Sequence, residues 1–248
     1  MKISLRHIIG FRLSTKDRVK GKVLDFFFDD ERWVVRYLEA DQGKILPNKK
    51  VLIPRALLAQ PDWDKKEFHV SLTRKDFDKC PAIEENKPVS REYESRLLSH
   101  LQMKDYWTVA PPAPTGMTYP VRPIEPPAAQ IKEEDIDTNL RSFNEILGYK
   151  VLATNGKYGD LTDLIVDDHD WQILYMVIAD GGNNHEIIFP ISSVKEISYK
   201  DQTVSLDTKI RYLENAPEFI PAEPVNEEYE KKVYDYYGRV IDKTKKDK

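Results

Sequence analysis

The chain has 248 residues, 40% hydrophobic and 32% charged, which is enough apolar material for one large domain or two small ones. Its longest uninterrupted apolar run, residues 173–179, covers seven residues and is too short for a transmembrane helix, which needs about 18 or more. A single cysteine, Cys80, excludes an internal disulfide and a thiolate metal cluster, so we expect a reducing compartment, by default the cytoplasm.

Charge is distributed unevenly along the chain. Residues 1–110 hold 22 lysines and arginines against 17 acidic residues, whereas residues 111–248 hold 16 against 25. The net acidity argues against broad nucleic-acid binding, because phosphate recognition generally uses a basic face. A local basic patch remains open in the first part, where four basic residues fall within seven positions: Lys16, Arg18, Lys20 and Lys22.

The first predicted unit, residues 1–108, is mostly β. A short strand is expected at residues 11–13, and a β-rich run at residues 21–28 is followed by a second at residues 33–38. Between these two runs lies the acidic stretch 29–32, so they are predicted to form a hairpin. Five or six short strands in such a length favour a small closed or nearly closed barrel.

The same unit closes with two more strands and a helix. The strands are expected to reach Pro54 and to contain residues 70–72. A short helix is predicted after Ser90, because serine is a favoured N-cap residue and acidic residues follow it. In that helix Tyr93 lies on the apolar face.

A proline-rich segment follows, at residues 109–139. Seven of the sixteen prolines fall within residues 111–127. This composition favours extended polyproline II structure and resists core packing, so the segment is predicted to be a linker.

The third segment, residues 140–248, repeats the first unit. Adding 138 to the positions of the first forty residues recovers the same residue types, and the offset changes to 136 or 134 after loops of different length. A second β-rich unit is therefore predicted, with a short helix after Asn226 and a charged tail. The two units are expected to be related by an approximate internal two-fold axis.

The order of these features resembles the PRC-barrel family. The resemblance rests on a Gly-x-Val/Leu-x-Asp strand, an acidic hairpin, a Trp-x-x-x-Tyr strand and an Ile/Phe-Pro strand, in the same order twice. The residues that carry it are Gly10, Gly21, Asp25, Trp33, Tyr37 and Pro54, and Gly148, Gly159, Asp163, Trp171, Tyr175 and Pro190. The family includes the cytoplasmic domain of the photosynthetic reaction-centre H subunit and the C-terminal domain of a small-subunit ribosome maturation factor.

The resemblance implies mainly β architecture, with two small PRC-like barrels each followed by a short helix. It also implies a non-enzymatic protein-interaction or scaffold module, similar to bacterial proteins with two such domains. The partner is expected to be a protein, and a homo-oligomer is a further option. Two alternatives follow from the relatives: a ribosome or RNA-processing accessory factor, and a barrel similar to the reaction-centre H subunit or linked to stress.

Acidic turns are the candidates for metal binding, since clustered carboxylates bind hard divalent cations. The four residues are Asp29, Asp30, Asp167 and Asp168. Aspartate is also favoured in turns because its side chain accepts hydrogen bonds from nearby backbone N–H groups. Two further carboxylates, Asp25 and Asp163, lie within apolar strands, where we expect them to face outward or to accept hydrogen bonds from a turn.

Partner binding has two sets of candidates, the basic residues named above and the tyrosines of the two helices. The tyrosines are Tyr93, Tyr229, Tyr236 and Tyr237. Trp33 and Tyr37 are expected on one face of a strand, as are Trp171 and Tyr175, with a packing role in the core or between the units. No catalytic residue and no cofactor is predicted, because no histidine or cysteine constellation recurs in both units.

Overall fold

The structure is a computed structural model that describes residues 1–17, 19–41, 49–83, 89–107, 139–181, 185–220 and 225–246. Within the predicted linker, residues 109–138 lie outside the described residues. We call residues 1–107 the first half and residues 139–246 the second half.

Strands account for most of the regular structure in both halves, which confirms the prediction of mainly β structure. In the first half they are β1 (Lys2–Ser4), β2 (Arg12–Ser14), β3 (Val19–Asp29), β4 (Val34–Asp41), β5 (Lys50–Pro54), β6 (Leu58–Asp62) and β7 (Glu67–Val70). In the second half they are β8 (Leu140–Ser142), β9 (Lys150–Ala153), β10 (Gly156–Asp167), β11 (Ile173–Asp180), β12 (Glu186–Pro190), β13 (Val194–Ser198) and β14 (Thr203–Leu206).

Helices are few and mostly short. They are α1 (Leu5–Ile8), α2 (Arg74–Lys79), α3 (Arg91–His100), α4 (Phe143–Ile146), α5 (Ile210–Glu214) and α6 (Glu227–Lys246). Both predicted helices start where their N-cap residues place them, since the Ser90 hydroxyl accepts from Tyr93 N at 3.2 Å and Asn226 Oδ1 from Tyr229 N at 2.8 Å. The second predicted helix is not short, because α6 extends over 20 residues.

The strands form two seven-stranded sheets with the same order. Sheet I runs β5-β4-β3-β2-β7-β6 and takes β8 beside β3, whereas sheet II runs β12-β11-β10-β9-β14-β13 and takes β1 beside β10. Neither order returns to its first strand within the described residues, so the predicted closed barrels are not found. The long hairpins β3–β4 and β10–β11 are antiparallel, as expected from the two β-rich runs across an acidic turn.

Two strands are exchanged between the halves. Strand β1 pairs with β10 through Lys2–Asp167, Ile3–Val166 and Ser4–Ile165, and β8 pairs with β3 through Leu140–Asp29, Arg141–Phe28 and Ser142–Phe27. Each half thus contributes one edge of the other half's sheet.

Close packing of neighbouring strands depends on two glycines at equivalent positions of β3 and β10. A Cβ atom on Gly21 or on Gly159 would lie 2.0 Å from a backbone oxygen of the adjacent strand, on Asp41 and Ala179 respectively. Glycine is therefore required for the close approach. Nearby residues such as Phe26 and Leu161 are fully buried, and each such side chain stabilises the fold by about 1.5–3 kcal/mol.

Candidate binding cleft between the two halves

The exchanged strands are fastened by the two carboxylates that lie inside strands. Asp25 accepts hydrogen bonds from the Ser142 hydroxyl at 2.5 Å and from Asn144 N at 3.0 Å, both in the second half. Asp163 accepts equivalent bonds from the Ser4 hydroxyl and from Arg6 N, the latter at 3.1 Å. The expected acceptance of hydrogen bonds from a turn is confirmed, and the turns are the first turns of α4 and α1.

Both carboxylates are buried, with exposed fractions of 4% for Asp25 and 6% for Asp163. Burial raises the pKa of Asp25 above its ordinary value, and it raises the pKa of Asp163 to about 6. The hydroxyl and backbone donors act in the opposite direction, because they stabilise the ionised form.

The acidic turns place their carboxylates against partners within the protein. Asp29 accepts from Arg36 Nη2 at 2.8 Å, and Asp30 Oδ2 accepts from Arg141 Nε at 3.0 Å. Asp167 caps its own turn by accepting from His169 N at 2.9 Å, and Asp168 accepts from the Met1 amino group at 2.5 Å. Among the described residues, no group of three or more His, Cys, Asp or Glu side chains is arranged to hold a metal ion.

Each hairpin turn ends in a tryptophan with left-handed backbone, with φ of +53° at Trp33 and +60° at Trp171. The prediction that each begins a strand and shares a face with the tyrosine four residues later is wrong, because β4 begins at Val34 and β11 at Ile173. The left-handed residue interrupts the alternation of side chains, so the indole leaves the strand's register.

The two tryptophans join the halves. The Trp171 ring stacks on Phe26, with centroids 5.9 Å apart, and contacts Phe68 edge-on at 5.7 Å, so it lies in the core of sheet I. Backbone hydrogen bonds cross at the same place, from Val35 N to Trp171 O at 2.9 Å and from Ile173 N to Trp33 O at 2.7 Å. The expected packing role between the units is met by Trp171.

A cleft of about 160 Å³ opens where the first hairpin turn faces sheet II. One wall comes from the first half, through Asp30 and Trp33. The other comes from β13 and the residues after it in the second half: Val194, Lys195, Glu196, Ile197 and Tyr199. The site therefore exists only where both halves meet.

A three-residue cluster sets the geometry at the Asp30 end of the cleft. Asp30 Oδ2 accepts from the Tyr199 hydroxyl at 2.7 Å as well as from Arg141, whose guanidinium lies 4.5 Å from the Tyr199 ring centroid. Burial and the nearby Asp30 carboxylate raise the pKa of Tyr199, so the phenol stays a hydrogen-bond donor. No hydrogen bond from the described residues reaches Asp30 Oδ1.

A second buried polar cluster holds α3 against sheet I. Glu94 is fully buried and accepts from the hydroxyls of Tyr37 and Tyr106, each at 2.7 Å, and from Arg91 Nη1 at 2.9 Å. Burial raises the pKa of Glu94, while these donors oppose the rise.

The second half repeats this contact. Glu230 of α6 accepts from the Tyr175 hydroxyl at 2.8 Å and pairs with Lys2 Nζ at 2.7 Å. Because the strand-to-helix contact recurs, we assign both clusters to helix positioning.

The predicted partner-binding residues are dispersed. Lys16 and Lys22 are exposed, Lys20 is described only as a backbone position of β3, and Arg18 lies outside the described residues. Tyr93 and Tyr237 are buried, with exposed fractions of 5% and 4%.

The other two helix tyrosines are partly buried and bonded within the second half. The Tyr229 hydroxyl donates to Pro217 O at 3.2 Å, and the Tyr236 hydroxyl donates to Tyr212 O at 2.7 Å. The most exposed tyrosine of α6 is Tyr234, at 78%, and sequence reasoning did not select it.

Sequence reasoning also missed Arg141, Tyr199 and β13. Tyr199 is separated from Asp30 by 169 residues, and no local pattern signals that the two meet. One weak signal existed, since Tyr199 aligns with Trp63 at the offset of 136 and Tyr149 aligns with Phe11 at 138. Both pairs form edge-on ring contacts, Phe11–Trp63 at 5.6 Å and Tyr149–Tyr199 at 6.4 Å.

Other chemistry-bearing residues lie apart from the cleft. Cys80 is buried, and burial raises the pKa of its thiol to about 11, which disfavours the reactive thiolate. None of the helices in the described part of the chain combines the length and apolar character that a membrane crossing requires.

Comparison with known proteins gives one family. Residues 139–210 match the sequence profile of the PRC-barrel domain. Among curated proteins, none matches the chain significantly. The match covers α4, the strands β8 to β14 and the exchanged segment around Ser142, so the elements that build one wall of the cleft lie within it. The resemblance to the PRC-barrel family that the sequence predicts is therefore confirmed over residues 139–210.

Proposed function

We propose that the chain is a non-enzymatic protein-interaction module, built from two PRC-barrel-type halves related by an approximate two-fold axis. In this proposal a protein partner docks in the cleft between the halves. The contacts between the halves hold them in a fixed relation, and the cleft is the surface that the partner binds.

Recurrence of contacts supports the two-half architecture. The Asp25–Ser142 contact corresponds to Asp163–Ser4, and the Tyr37–Glu94 contact corresponds to Tyr175–Glu230. The backbone bond from Asp30 N to Asn139 O likewise corresponds to the bond from Asp168 N to Met1 O, at 3.0 and 2.9 Å. These residues hold strands and helices in place, which is a framework role.

The observation that carries the binding proposal is the composition of the cleft walls. Trp33 and Asp30 belong to one half, and the edge of β13 belongs to the other. Aromatic residues are enriched in protein-binding surfaces and contribute much of the affinity, while polar groups form the rim. Trp33 is the aromatic side chain of the first wall, and the exposed Lys195 and Glu196 lie on the other. Since both halves are needed, a partner at this cleft would bind only the assembled molecule.

Site-specific photo-crosslinking in the source cells tests the proposal. A benzoylphenylalanine replaces the exposed Glu196 on β13, and the matched control carries it at Gln60, the exposed equivalent position on β6. We expect a saturable protein adduct at position 196 that the additional change Trp33→Ala abolishes, with unchanged circular dichroism. Adducts at neither position, or equally at both, would contradict docking in the cleft. An adduct made only with ribosomal proteins would favour the ribosome-accessory alternative.

A further inference from the structure

Resting on that proposed function, we infer that the cleft takes an extended segment of the partner protein. The segment pairs with the free edge of β13 and places a lysine or arginine side chain between Trp33 and Asp30.

The lining of the cleft indicates that it follows the backbone of a strand. Four consecutive residues of β13 line it, from Val194 to Ile197. Successive side chains of a regular strand point to opposite faces. The register of β13 shifts between Val194 and Glu196 and interrupts the alternation there, but Glu196 and Ile197 follow in regular register and so lie on opposite faces. Because side chains from both faces of β13 line the cleft, the cleft runs along the edge of the strand, where backbone N–H and C=O groups are accessible.

Strand β13 has such an edge. It is the last strand of sheet II, and in the described residues it pairs on one side only, with β14. An extended peptide can add to an edge of this kind through main-chain hydrogen bonds, while side-chain pockets supply specificity.

The opposite wall selects the side chain. Asp30 Oδ2 is occupied by Arg141 and Tyr199, whereas Oδ1 accepts no hydrogen bond from the described residues. Glu196 adds a second carboxylate, which is exposed, while Arg141 pairs with Asp30 through Oδ2 only, so the negative charge open to a ligand is that of Glu196 and of Asp30 Oδ1. A basic side chain complements this charge, and a charge-assisted hydrogen bond to Asp30 would fix its position.

Aromatic groups favour the same ligand. Trp33 lines the cleft, and its indole stacks on the Phe28 ring, with centroids 5.6 Å apart and an angle of 16° between the ring planes. Cations bind favourably over indole faces. Arg141 already shows this chemistry within the protein, because it pairs with Asp30 while lying over the Tyr199 ring.

The equivalent edge in sheet I differs and provides the control. Strand β6 contains Pro61, which has no N–H to offer a partner strand, and Gln60 Nε2 lies 3.4 Å from Asp168 O across the junction. Trp63 takes the position that Tyr199 has in the second half. We therefore expect strand addition at β13 and not at β6.

The probe is a displayed library of random dodecapeptides selected on the full chain. We expect the selected peptides to carry Lys or Arg at one fixed position, flanked by β-branched residues.

Binding should fall about tenfold or more with Asp30→Asn and with Glu196→Lys, as expected for the loss of one charge-assisted bond or the reversal of one charge. The control Gln60→Lys should leave affinity unchanged. Two versions of the selected peptide are then compared, one methylated at the odd-numbered backbone nitrogens and one at the even-numbered ones. Only the version whose methylated nitrogens face β13 should lose binding.

Three results separate this inference from the proposed function. Peptides that require Trp33 but lack a basic residue would overturn the inference, as would peptides that bind with either set of backbone nitrogens methylated. Both results would still be consistent with a partner docking in the cleft. Peptides that bind equally well to Trp33→Ala, or that depend on Gln60, would overturn both. Because Asp30→Asn also weakens the contact to Arg141, the melting temperature of this variant is measured in parallel. Glu196→Lys changes an exposed residue of β13 and so tests the charge dependence of peptide binding independently.

Discussion

At the residue scale, the carboxylates inside strands decide how the halves are joined. Asp25 and Asp163 each accept from a hydroxyl and a backbone N–H of the opposite half, and each also accepts from the following backbone N–H at 2.7 Å. Three donors offset the cost of burying a carboxylate, which would otherwise be several kcal/mol. Both residues were visible in the sequence as polar positions in apolar strands, but their partners were not, since these lie 117 and 159 residues away.

Replacement of Asp163 by Asn should change the pH dependence of stability. The folded-state pKa of about 6 lies above the ordinary value of 3.8, so the folded chain binds a proton more readily than the unfolded chain. This contribution is fully present below the unfolded pKa and is lost as pH rises through about 6. Relative to Asp163→Asn, the wild-type protein should therefore gain on the order of 2 kcal/mol in free energy of unfolding between about pH 7.5 and pH 4.

Urea unfolding at several pH values measures this difference. Asn matches the protonated acid in shape and hydrogen-bonding pattern, so the variant is expected to fold. Parallel stability curves for the two proteins would show that Asp163 does not titrate in this range.

The close approach of strands at Gly159 gives a second residue-scale prediction. Gly159→Ala places a Cβ atom 2.0 Å from Ala179 O, so β10 and β11 must separate, and we expect a loss of about 2–4 kcal/mol in the free energy of unfolding. Gly238→Ala in α6 is the matched control, because nothing lies within 4 Å of its Cβ position. There, a gain of about 0.5–1 kcal/mol is expected from helix propensity. Thermal unfolding of both variants measures whether stability falls with Gly159→Ala and rises with Gly238→Ala. The same change in stability for both variants would contradict the packing argument.

At the element scale, the exchange of β1 and β8 is the feature that local sequence could not show. Both strands are three residues long, and a pattern of alternating residues cannot be recognised over that length. The longer strands were predicted well, since β3, β4, β10 and β11 consist of β-branched and aromatic runs around an acidic turn.

Expelling β1 should loosen the second half more than the first. Ile3 is 4% exposed in β1, and Ile3→Asp would bury a charge there, so the strand should leave sheet II. Hydrogen–deuterium exchange is then expected to increase at residues 165–167, which pair with β1, with little change in β4 and β5. The control Arg6→Ser lies at an exposed position of α1 and should have no such effect. An increase confined to the first half would contradict the exchange.

At the scale of the whole molecule, the halves share their cores. Trp171 belongs to the second half by sequence but packs on Phe26 and Phe68 of sheet I. Its side chain is 4% exposed, so the association of the halves resembles a domain core more than a surface contact. One cooperative unfolding transition is therefore expected for the full chain.

Cutting the segment between the halves tests this unity. A protease site inserted within residues 108–138 of the full chain should, after cleavage, leave two fragments that elute together in size-exclusion chromatography and melt in one transition. Trp171→Ala should weaken this association and lower the free energy of unfolding by about 3–5 kcal/mol. Fragments that separate without denaturant, with the wild-type tryptophan in place, would contradict the shared core.

The sequence by itself determined the mainly β architecture, the repeated order of its elements, the helix starts at Ser90 and Asn226, and the resemblance to the PRC-barrel family. These features depend on local composition and on recurrence at a fixed offset, and both can be read along the chain. Tertiary structure alone decided which sheet each three-residue strand completes, where Trp171 is buried, and that Asp30 meets Tyr199 across a cleft. The reason is that these contacts join residues far apart in the chain. Strand edges, buried carboxylates and aromatic rings of one half find their pairing strands, hydrogen-bond donors and packing partners in the other half.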